Sequence, residues 1–289
     1  MHDESRLNEF IQGASNLPVL PKVTIRLLNA LDAPETSARE IAGIIEAEPI
    51  LSARLLKLAN SSYYGQRGNI SKVNSAVAVL GSKTIRSLAL TIWTHTLKLQ
   101  ARKPEEMALM APLLAHGLVA GIAARMLAER VNQTLSEEAF MAGLLHDIGR
   151  VALVAQLGKD YQTLVLDPAV SEGVPLHEKE TEILGFDHRA LGAALMKSWS
   201  LPAFLARVVE LHHDPVTVPG GATFFVSAVS LADSFATQLG FNLALGGRPL
   251  IQDHVAAYFG LNDEQAIAEF LEICMRWFRM MSEVLDRPR

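Results

Sequence analysis

The sequence predicts an all-α protein, and three observations support that fold class. Hydrophobic residues make up 49% of the 289-residue chain and charged residues 20%, which is typical of a globular protein rather than a disordered one. Aromatic residues, which favour strands, are only 6%, whereas alanine and leucine are abundant. Apolar residues recur at three- and four-residue spacing along nearly the whole chain, with no convincing run of strict alternation.

The first hundred residues predict a bundle of short helices. Ser37 and Glu40 have the spacing of a capping box, and Pro49 suits the first position of a helix. Gly81 ends a short helix, and charged residues cluster around Pro104, which predicts a domain boundary near residue 100. The predicted helices cover 23–31, 37–45, 49–58, 73–80 and 85–93, with a turn over 63–68.

The residues after this boundary predict a larger helical domain. Its expected helices cover 105–130, 136–156, 187–199, 202–212, 223–239 and 262–286. We expect less regular structure between residues 157 and 186, and Asn262 with Gln265 has the spacing of a helix cap pair. The expected architecture is an N-terminal helical subdomain of residues 1–100, packed on a helical domain of residues 101–289.

Several function classes are disfavoured by composition. Cys274 is the only cysteine, so no intrachain disulfide can form, and the first ten residues lack the features of a signal peptide. Residues 107–124 carry no formal charge, but Pro112, His116 and two glycines favour a core helix over a membrane span. A net charge of −5 disfavours non-specific nucleic-acid binding. We therefore expect a cytoplasmic protein without a membrane or nucleic-acid partner.

Seven histidines and aspartates interrupt the apolar helices of the second domain. They are His116, His146, Asp147, His188, His212, His213 and Asp233. A buried carboxylate without compensation is costly, and a metal ion bound by imidazole and carboxylate groups would supply that compensation. The neighbouring pair His146-Asp147 could bind one ion or bridge two, because adjacent helix positions differ by about 100°.

Each of these residues also has a simpler explanation when it is taken alone. A buried histidine can hydrogen-bond to a carbonyl group, and the pair His212-His213 can complement a helix dipole. Asp187 or His188 could cap a helix. We interpret three further histidines as structural or exposed: His95, His177 and His254. Only the order of the whole set favours a metal site over these alternatives.

That order resembles the HD superfamily of metal-dependent phosphohydrolases, whose ligands are a His, a His-Asp pair, further histidines and a final Asp. The resemblance implies a first metal ion held by His116, His146, Asp147 and Asp233. It implies a second ion held by His188, His212 and His213, with Asp147 as the bridge. Such ligands suit one or two divalent ions of Fe, Mn, Zn or Ni. In an enzyme, Asp147 and Arg150 would be catalytic, with Arg150 holding a phosphate oxygen.

The sequence departs from the patterns of particular HD enzymes. Arg150 stands where the family commonly has Lys after the His-Asp-Ile-Gly segment. Cyclic-di-GMP phosphodiesterases carry Gly-x-Gly-Tyr-Pro after the His-His pair, whereas this chain continues from His213 with Asp-Pro-Val-Thr-Val-Pro-Gly-Gly. Pro112 stands where a third metal would need an acid. We therefore expect neither cyclic-di-GMP hydrolysis nor a trinuclear centre.

The N-terminal half resembles the HDOD domain, a signalling relative of these phosphohydrolases. The matching segments are Leu-Pro-Val-Leu-Pro over 17–21, Glu-Pro-Ile-Leu-Ser-Ala-Arg-Leu-Leu-Lys-Leu-Ala-Asn-Ser-Ser from Glu48, and Ile-Ser-Lys-Val-Asn-Ser-Ala-Val-Ala-Val-Leu-Gly from Ile70. Together with the His-Asp segment, the resemblance covers roughly residues 10–215, followed by a helical C-terminal extension. For Asn60, a structural role in the turn is favoured over ligand contact.

The resemblance implies a bacterial signal-transduction protein that acts by binding a ligand or partner and retains an HD-type metal site. The partner would be a signalling protein or a small nucleotide-like ligand. The alternative is a metal-dependent phosphohydrolase or phosphodiesterase acting on a nucleotide-like substrate. The sequence predicts no oligomeric state.

Overall fold

The described part of the chain consists of helices joined by short turns, and it contains no strand. The computed structural model describes residues 3–33, 35–60, 70–214, 222–242 and 251–286. The all-α prediction is confirmed for these residues. The turn predicted over 63–68 and the segment after Asp214 that replaces Gly-x-Gly-Tyr-Pro lie outside them.

Sixteen α-helices are assigned within the described residues. In chain order they are α1 (Glu4–Gly13), α2 (Lys22–Asp32), α3 (Ala38–Glu46), α4 (Pro49–Ala59), α5 (Val73–Leu97), α6 (Pro104–Val131), α7 (Ser136–Leu145), α8 (Ile148–Leu157), α9 (Lys159–Val165), α10 (Pro168–Ser171), α11 (Leu176–Leu184), α12 (His188–Ser198), α13 (Ala203–Leu211), α14 (Ala222–Gln238), α15 (Asp253–Tyr258) and α16 (Glu264–Asp286).

The chain divides into two compact units. The larger unit comprises Met1–Pro18 and Leu97–Met275, and the smaller unit comprises Val19–Thr96 and Arg276–Arg289. The expectation of two domains that meet near residue 100 stays a prediction.

The smaller unit is built around short amphipathic helices. Ser37 and Glu40 form the predicted capping box at the start of α3. Gly81 has φ 74° and ψ 164°, so it kinks α5 at the place where the sequence predicts a helix end. The Asn60 side-chain amide donates to the carbonyl oxygens of Leu56 and Ile70 at 2.8 Å each, and its oxygen accepts from the Ile70 N–H at 2.8 Å. Asn60 therefore has a structural role, joining the end of α4 to the chain before α5.

In the larger unit, two glycines allow neighbouring helices to approach closely. A Cβ atom on Gly143 of α7 would lie 2.6 Å from the carbonyl oxygen of Ala120 in α6. A Cβ atom on Gly149 of α8 would lie 1.9 Å from the carbonyl oxygen of His188 in α12. Cβ atoms essentially never approach other atoms this closely, so a side chain at either position would push the two helices apart.

The single helix predicted over 136–156 is wrong, because the chain breaks it at the His-Asp pair. Helix α7 ends at Leu145 and α8 begins at Ile148. Asp147 has φ −101° and ψ 17°, and its carbonyl oxygen accepts the N–H groups of Arg150 and Val151 at 2.9 and 3.3 Å. The break changes the directions in which His146 and Asp147 project from those they would have in a continuous helix.

Two other expectations about local structure are corrected. Residues 157–186 contain three helices, α9 to α11, rather than mostly irregular chain. The side chain of Asp263, not that of Asn262, caps α16 by accepting the N–H of Ala266 at 2.7 Å. Asn262 and Asp263 are neighbours and both can cap a helix, so the spacing of Asn262 and Gln265 favours the wrong one of the two.

Three segments of the described chain are long and apolar enough to cross a membrane, judged by length and composition alone. They are Val73–Leu97, Pro104–Val131 and Gln133–Leu157. Between 61% and 78% of the apolar window of each segment is buried inside the protein. This burial agrees with the interpretation of residues 107–124 as part of a core helix.

Candidate metal centre

Seven polar side chains of the larger unit converge at one place, although they come from distant parts of the chain. They lie in the middle of α6 (His116), at the break between α7 and α8 (His146, Asp147), at the start of α12 (His188), just after α13 (His212, His213) and in α14 (Asp233). All metal ligands predicted from the sequence are therefore neighbours in the structure.

The first group comprises His116, His146, Asp147 and Asp233. The Nε2 atom of His116 lies 3.0 Å from Oδ1 of Asp233, 3.2 Å from Nε2 of His146 and 3.8 Å from Oδ2 of Asp147. The Nε2 atom of His146 lies 3.6 Å from Oδ2 of Asp147 and 3.8 Å from Oδ1 of Asp233. Ligand atoms of His116, His146 and Asp147 thus lie within 4.8 Å of one another, and Asp233 lies beside the two imidazoles of this group.

The second group comprises Asp147, His188, His212 and His213. The Oδ1 atom of Asp147 lies 3.4 Å from Nε2 of His188 and 3.6 Å from Nε2 of His212. One ligand atom from each of the four residues lies within 4.8 Å of the others. Asp147 directs Oδ2 to the first group and Oδ1 to the second, which is the arrangement of a bridging carboxylate.

These separations fit metal coordination. Atoms bound to one tetrahedral or octahedral ion with bonds of about 2.1 Å lie about 3.0–3.4 Å apart. The shortest contacts, 3.0 and 3.2 Å in the first group and 3.4 Å in the second, lie in that range. The other contacts given above, at 3.6–3.8 Å, are slightly longer than this range.

Bonds outside the two groups orient the imidazoles. A carbonyl oxygen can only accept a hydrogen bond, so a ring nitrogen that faces a carbonyl oxygen carries a proton. The other nitrogen of a neutral ring then presents its lone pair. Three rings face carbonyl oxygens through Nδ1: His146 to Gly143 at 2.7 Å, His212 to Val209 at 2.8 Å, and His116 to Phe241. The Nδ1 atom of His188 instead lies 2.6 Å from Oε2 of Glu180. In the neutral tautomers, all four present Nε2 to the centre as an acceptor.

Three of these inward-facing atoms have no hydrogen-bond partner among the described residues. They are Oδ1 of Asp147, Nε2 of His188 and Nε2 of His212, and all three are buried. Buried polar atoms in proteins are normally satisfied, since leaving one unpaired costs about 1–3 kcal/mol. Three unpaired acceptors that face one another are best satisfied by a cation, so the residues present fit a metal ion.

The charges of the two carboxylates suit this role. Burial, the largest single effect, would raise the pKa of Asp147, but the charges of Arg150 and of the neighbouring imidazoles together lower it well below its usual range. Burial likewise opposes ionisation of Asp233, whose pKa is lowered by the hydrogen bond and charge of His116. Both groups are therefore ionised at neutral pH.

The imidazoles fall into two classes. Burial lowers the pKa of His146 to about 4, and it lowers the pKa values of His188 and His213 well below their usual range. Burial also opposes the charged form of His116, but its hydrogen bond to Asp233 and the nearby carboxylate charges raise its pKa overall. Three rings are thus neutral ligands at pH 7, whereas at His116 a metal ion competes with a proton that the ring holds more firmly than a free histidine does.

Arg150 lies at the edge of the second group. Its Nη1 atom donates to Oδ2 of Asp147 at 2.9 Å, its Nη2 atom lies 3.4 Å from Nε2 of His213, and its buried Nε has no partner among the described residues. Burial opposes its charge, but Asp147 raises its pKa further above the usual range. The fixed positive charge lies next to the proposed bridging carboxylate.

Sequence reasoning missed three residues beside the second group. Glu180 is buried in α11 and bonds to His188, while Tyr161 of α9 donates its hydroxyl to Glu180 at 2.5 Å. Burial raises the pKa of Glu180 to about 7, against the opposing charge of Arg150. His177, interpreted from the sequence as structural or exposed, stacks on His213 with ring centroids 5.1 Å apart. The predicted absence of regular structure over 157–186 concealed all three.

The whole arrangement can hold two ions about one carboxylate, with a guanidinium group beside them. Such a site supplies fixed positive charge and a Lewis acid to a bound anion. Among the residues that the structure describes, the cluster consists of histidine, aspartate and arginine side chains, and none of them is the serine or cysteine of a nucleophile–base pair.

Comparison with known proteins identifies the family. The HDOD domain model matches residues 17–215, well over half of the chain. A curated relative, an uncharacterized protein of Treponema pallidum (strain Nichols), is 24% identical over 219 residues. The match covers 75% of this chain and 42% of the relative, so the chain spans less than half of that protein's length.

Solved structures share the fold. An HDOD domain protein of unknown function from Geobacter sulfurreducens has a TM-score of 0.76 at 26% identity, over 97% of this chain and 96% of that one. A Shewanella amazonensis SB2B protein, assigned provisionally to the phosphohydrolases, has a TM-score of 0.71 at 25% identity, over 97% and 98%. A Marinobacter aquaeolei VT8 protein, assigned provisionally to signal transduction, shares the fold with a TM-score of 0.73 at 21% identity, over 98% and 66%.

The family match spans both the N-terminal helices and the break that carries His146 and Asp147. Its limits agree with the sequence resemblance over roughly residues 10–215. This chain belongs to the HDOD domain family.

Proposed function

We propose that this protein is a bacterial signal-transduction regulator of the HDOD family that retains a metal centre and acts by binding a ligand or partner. The single observation that carries the proposal is the convergence of seven buried or half-buried donors, three of them unpaired acceptors. A relic of a lost metal site would have no physical reason to keep four imidazoles oriented through Nδ1 by partners outside the cluster.

The centre takes one or two divalent transition-metal ions, of Fe, Mn, Zn or Ni. The first ion is assigned to His116, His146, Asp147 and Asp233. The second ion is assigned to Asp147, His188, His212 and His213. Imidazole and carboxylate donors without thiolate favour these metals over thiophilic ions.

We place the protein in the cytoplasm, and its partner is a signalling protein or a small nucleotide-like ligand. The free acceptors and Arg150 make the centre attractive to an anionic group, which nucleotide-like ligands carry. We propose neither a nucleic-acid nor a membrane partner.

A second candidate function, phosphohydrolysis of a nucleotide-like substrate, is favoured by the position of Arg150. When bound, divalent ions activate water and stabilise charge on phosphoryl oxygens. Arg150 would hold a phosphate oxygen through a guanidinium whose Nε atom is free of protein partners in the described chain. Asp147 stays ionised and would bridge the two ions, while burial keeps His146, His188 and His213 neutral.

Metal analysis of the protein purified without added ions tests the proposal. We expect close to stoichiometric transition metal in the folded protein, and loss of that metal in Asp147→Ala but not in Asp160→Ala, which changes an exposed aspartate of α9. Less than about a tenth of an equivalent in a folded sample contradicts the proposal, given the tight binding expected of such a site.

A panel of phosphatase and phosphodiesterase substrates separates the two functions. An enzyme loses turnover in Asp147→Ala and keeps it in Asp160→Ala. Turnover that persists in Asp147→Ala comes from a contaminant, and metal-loaded protein without turnover on the panel supports the regulatory function.

A further inference from the structure

Helix α11 contacts the second group at two of its ligands. Glu180 of α11 is completely buried, and its Oε2 atom accepts from the backbone N–H of His188 at 2.8 Å and faces Nδ1 of the same residue at 2.6 Å. His177, one turn earlier in α11, stacks on His213 with an interplanar angle of 19°. The helix thus restrains both the position and the ring orientation of metal ligands.

Tyr161 fixes the other oxygen of Glu180. Its hydroxyl donates to Oε1 at 2.5 Å, and both side chains are completely buried. Glu180 therefore accepts the tyrosine hydroxyl on one oxygen, while its other oxygen accepts the backbone N–H of His188 and contacts Nδ1 of the same residue. With both oxygens engaged, Glu180 has one orientation, and the imidazole of His188 is held by a rigid acceptor.

The first group is oriented in a different way. His146 and His116 face the backbone carbonyl oxygens of Gly143 and Phe241 through Nδ1. In the described chain, neither residue is bonded to a side-chain carboxylate through Nδ1. His188 is therefore held by a buried side chain of another helix, whereas His146 and His116 are held by backbone carbonyl groups.

We propose that Glu180, held by Tyr161, is a positioning residue for the second metal ion, and that α11 makes binding of this ion separable from binding of the first. The inference rests on the proposed function, since it requires that the centre binds metal. It assigns to α11 a specific role, namely control of whether the centre holds one ion or two.

A merely structural role for Glu180 has a different consequence. Its bond to the backbone N–H of His188 helps to cap α12, so loss of the carboxylate lowers stability in either case. A cap alone would not distinguish the two metal positions. The number of bound ions and their separate affinities are therefore the informative readouts.

The test compares Glu180→Gln, Tyr161→Phe and the wild-type full chain after removal of metal with a chelator. Zn²⁺ and Mn²⁺ titrations by calorimetry give the stoichiometry and affinities, and Co²⁺ absorption reports ligand geometry at each position. Glu178→Gln is the matched control, because it removes an exposed carboxylate of the same helix. Thermal unfolding identifies variants that do not fold.

We expect wild type and Glu178→Gln to bind two ions. In Glu180→Gln the affinity for the second ion, which binds more weakly, falls by about 10–100-fold, while the affinity for the first ion is unchanged. Tyr161→Phe shows a smaller loss at the same step. Two unchanged binding steps in folded Glu180→Gln, or equal weakening of both steps, would overturn the inference and leave the proposed function intact. If Glu180→Gln does not fold, the same criteria apply to Tyr161→Phe. If wild type binds no metal, the proposed function itself fails.

Discussion

Replacing Gly149 by alanine tests whether the close approach of α8 and α12 shapes the centre. The added Cβ would lie 1.9 Å from the carbonyl oxygen of His188, whereas real Cβ contacts essentially never fall below 3.0 Å. The two helices must therefore separate locally by at least about 1.1 Å. Asp147 and His188 flank this contact, so their present Oδ1–Nε2 separation of 3.4 Å would rise out of bonding range for a shared ion.

The expected cost is large because backbone, not a flexible side chain, must move. Overpacking costs about 1–3 kcal/mol and occasionally more, and we expect about 3 kcal/mol here. At about 2–4 °C per kcal/mol, the melting temperature falls by about 6–12 °C. Metal content falls as well, with the second ion affected more than the first.

The assay combines thermal unfolding with metal analysis. Gly43→Ala is the control, because a Cβ at Gly43 in α3 meets nothing within 4 Å and alanine favours a helix by up to about 1 kcal/mol. We expect this control to keep or raise the melting temperature. A Gly149→Ala protein with wild-type melting temperature and metal content would show that the close approach of α8 and α12 does not shape the centre.

Three further predictions concern the centre and the smaller unit. In the metal-free protein the pKa of His116 is raised above the ordinary histidine value of 6.5. The protonated ring therefore contributes to the free energy of unfolding below pH 6.5, and this contribution is lost as the pH rises through the raised pKa. Metal binding at a pH below the raised pKa of His116 should therefore release a proton from this ring, seen by calorimetry in buffers of different ionisation enthalpy. Release that is equal in His116→Asn would contradict this. Arg150→Ala should weaken binding of inorganic phosphate to the metal-loaded protein by about 10-fold or more, since a charge-assisted bond contributes about 1.5–3 kcal/mol. Unchanged phosphate binding would show that Arg150 does not contact the anion. Asn60→Ala should lower the free energy of unfolding by about 1–3 kcal/mol, because it removes the bonds that join residue 60 to Leu56 and Ile70; denaturant unfolding with an unchanged midpoint would argue against that structural role.

The convergence of the ligand set could be predicted from the sequence because its signal is chemical. Histidine and aspartate residues in apolar helices are costly, so an ordered set of them indicates a shared purpose even without coordinates. The periodicity of apolar residues likewise predicted most helices, and residue type predicted the capping box at Ser37 and the interruption of the helix at Gly81. These features depend on neighbours in sequence.

The break at His146-Asp147 could not be predicted in the same way. The segment 136–156 is apolar throughout, so its periodicity favours a continuous helix, whereas the actual backbone follows from tertiary contacts. Glu180 and Tyr161 are ordinary residues in a polar stretch, and their burial depends on where α9 and α11 pack. The approach at Gly149 involves residues 39 positions apart, a distance across which local patterns carry no information.

We predict that Asp147 bridges two metal ions, and anomalous diffraction from crystals of metal-loaded protein would locate both ions. We predict two anomalous peaks, one bonded to Oδ2 of Asp147 with His116, His146 and Asp233, and one bonded to Oδ1 of Asp147 with His188, His212 and His213. Each peak should lie about 2.0–2.3 Å from its ligand atoms. The absence of any peak at Asp147, or peaks bonded only to other residues, would contradict the account.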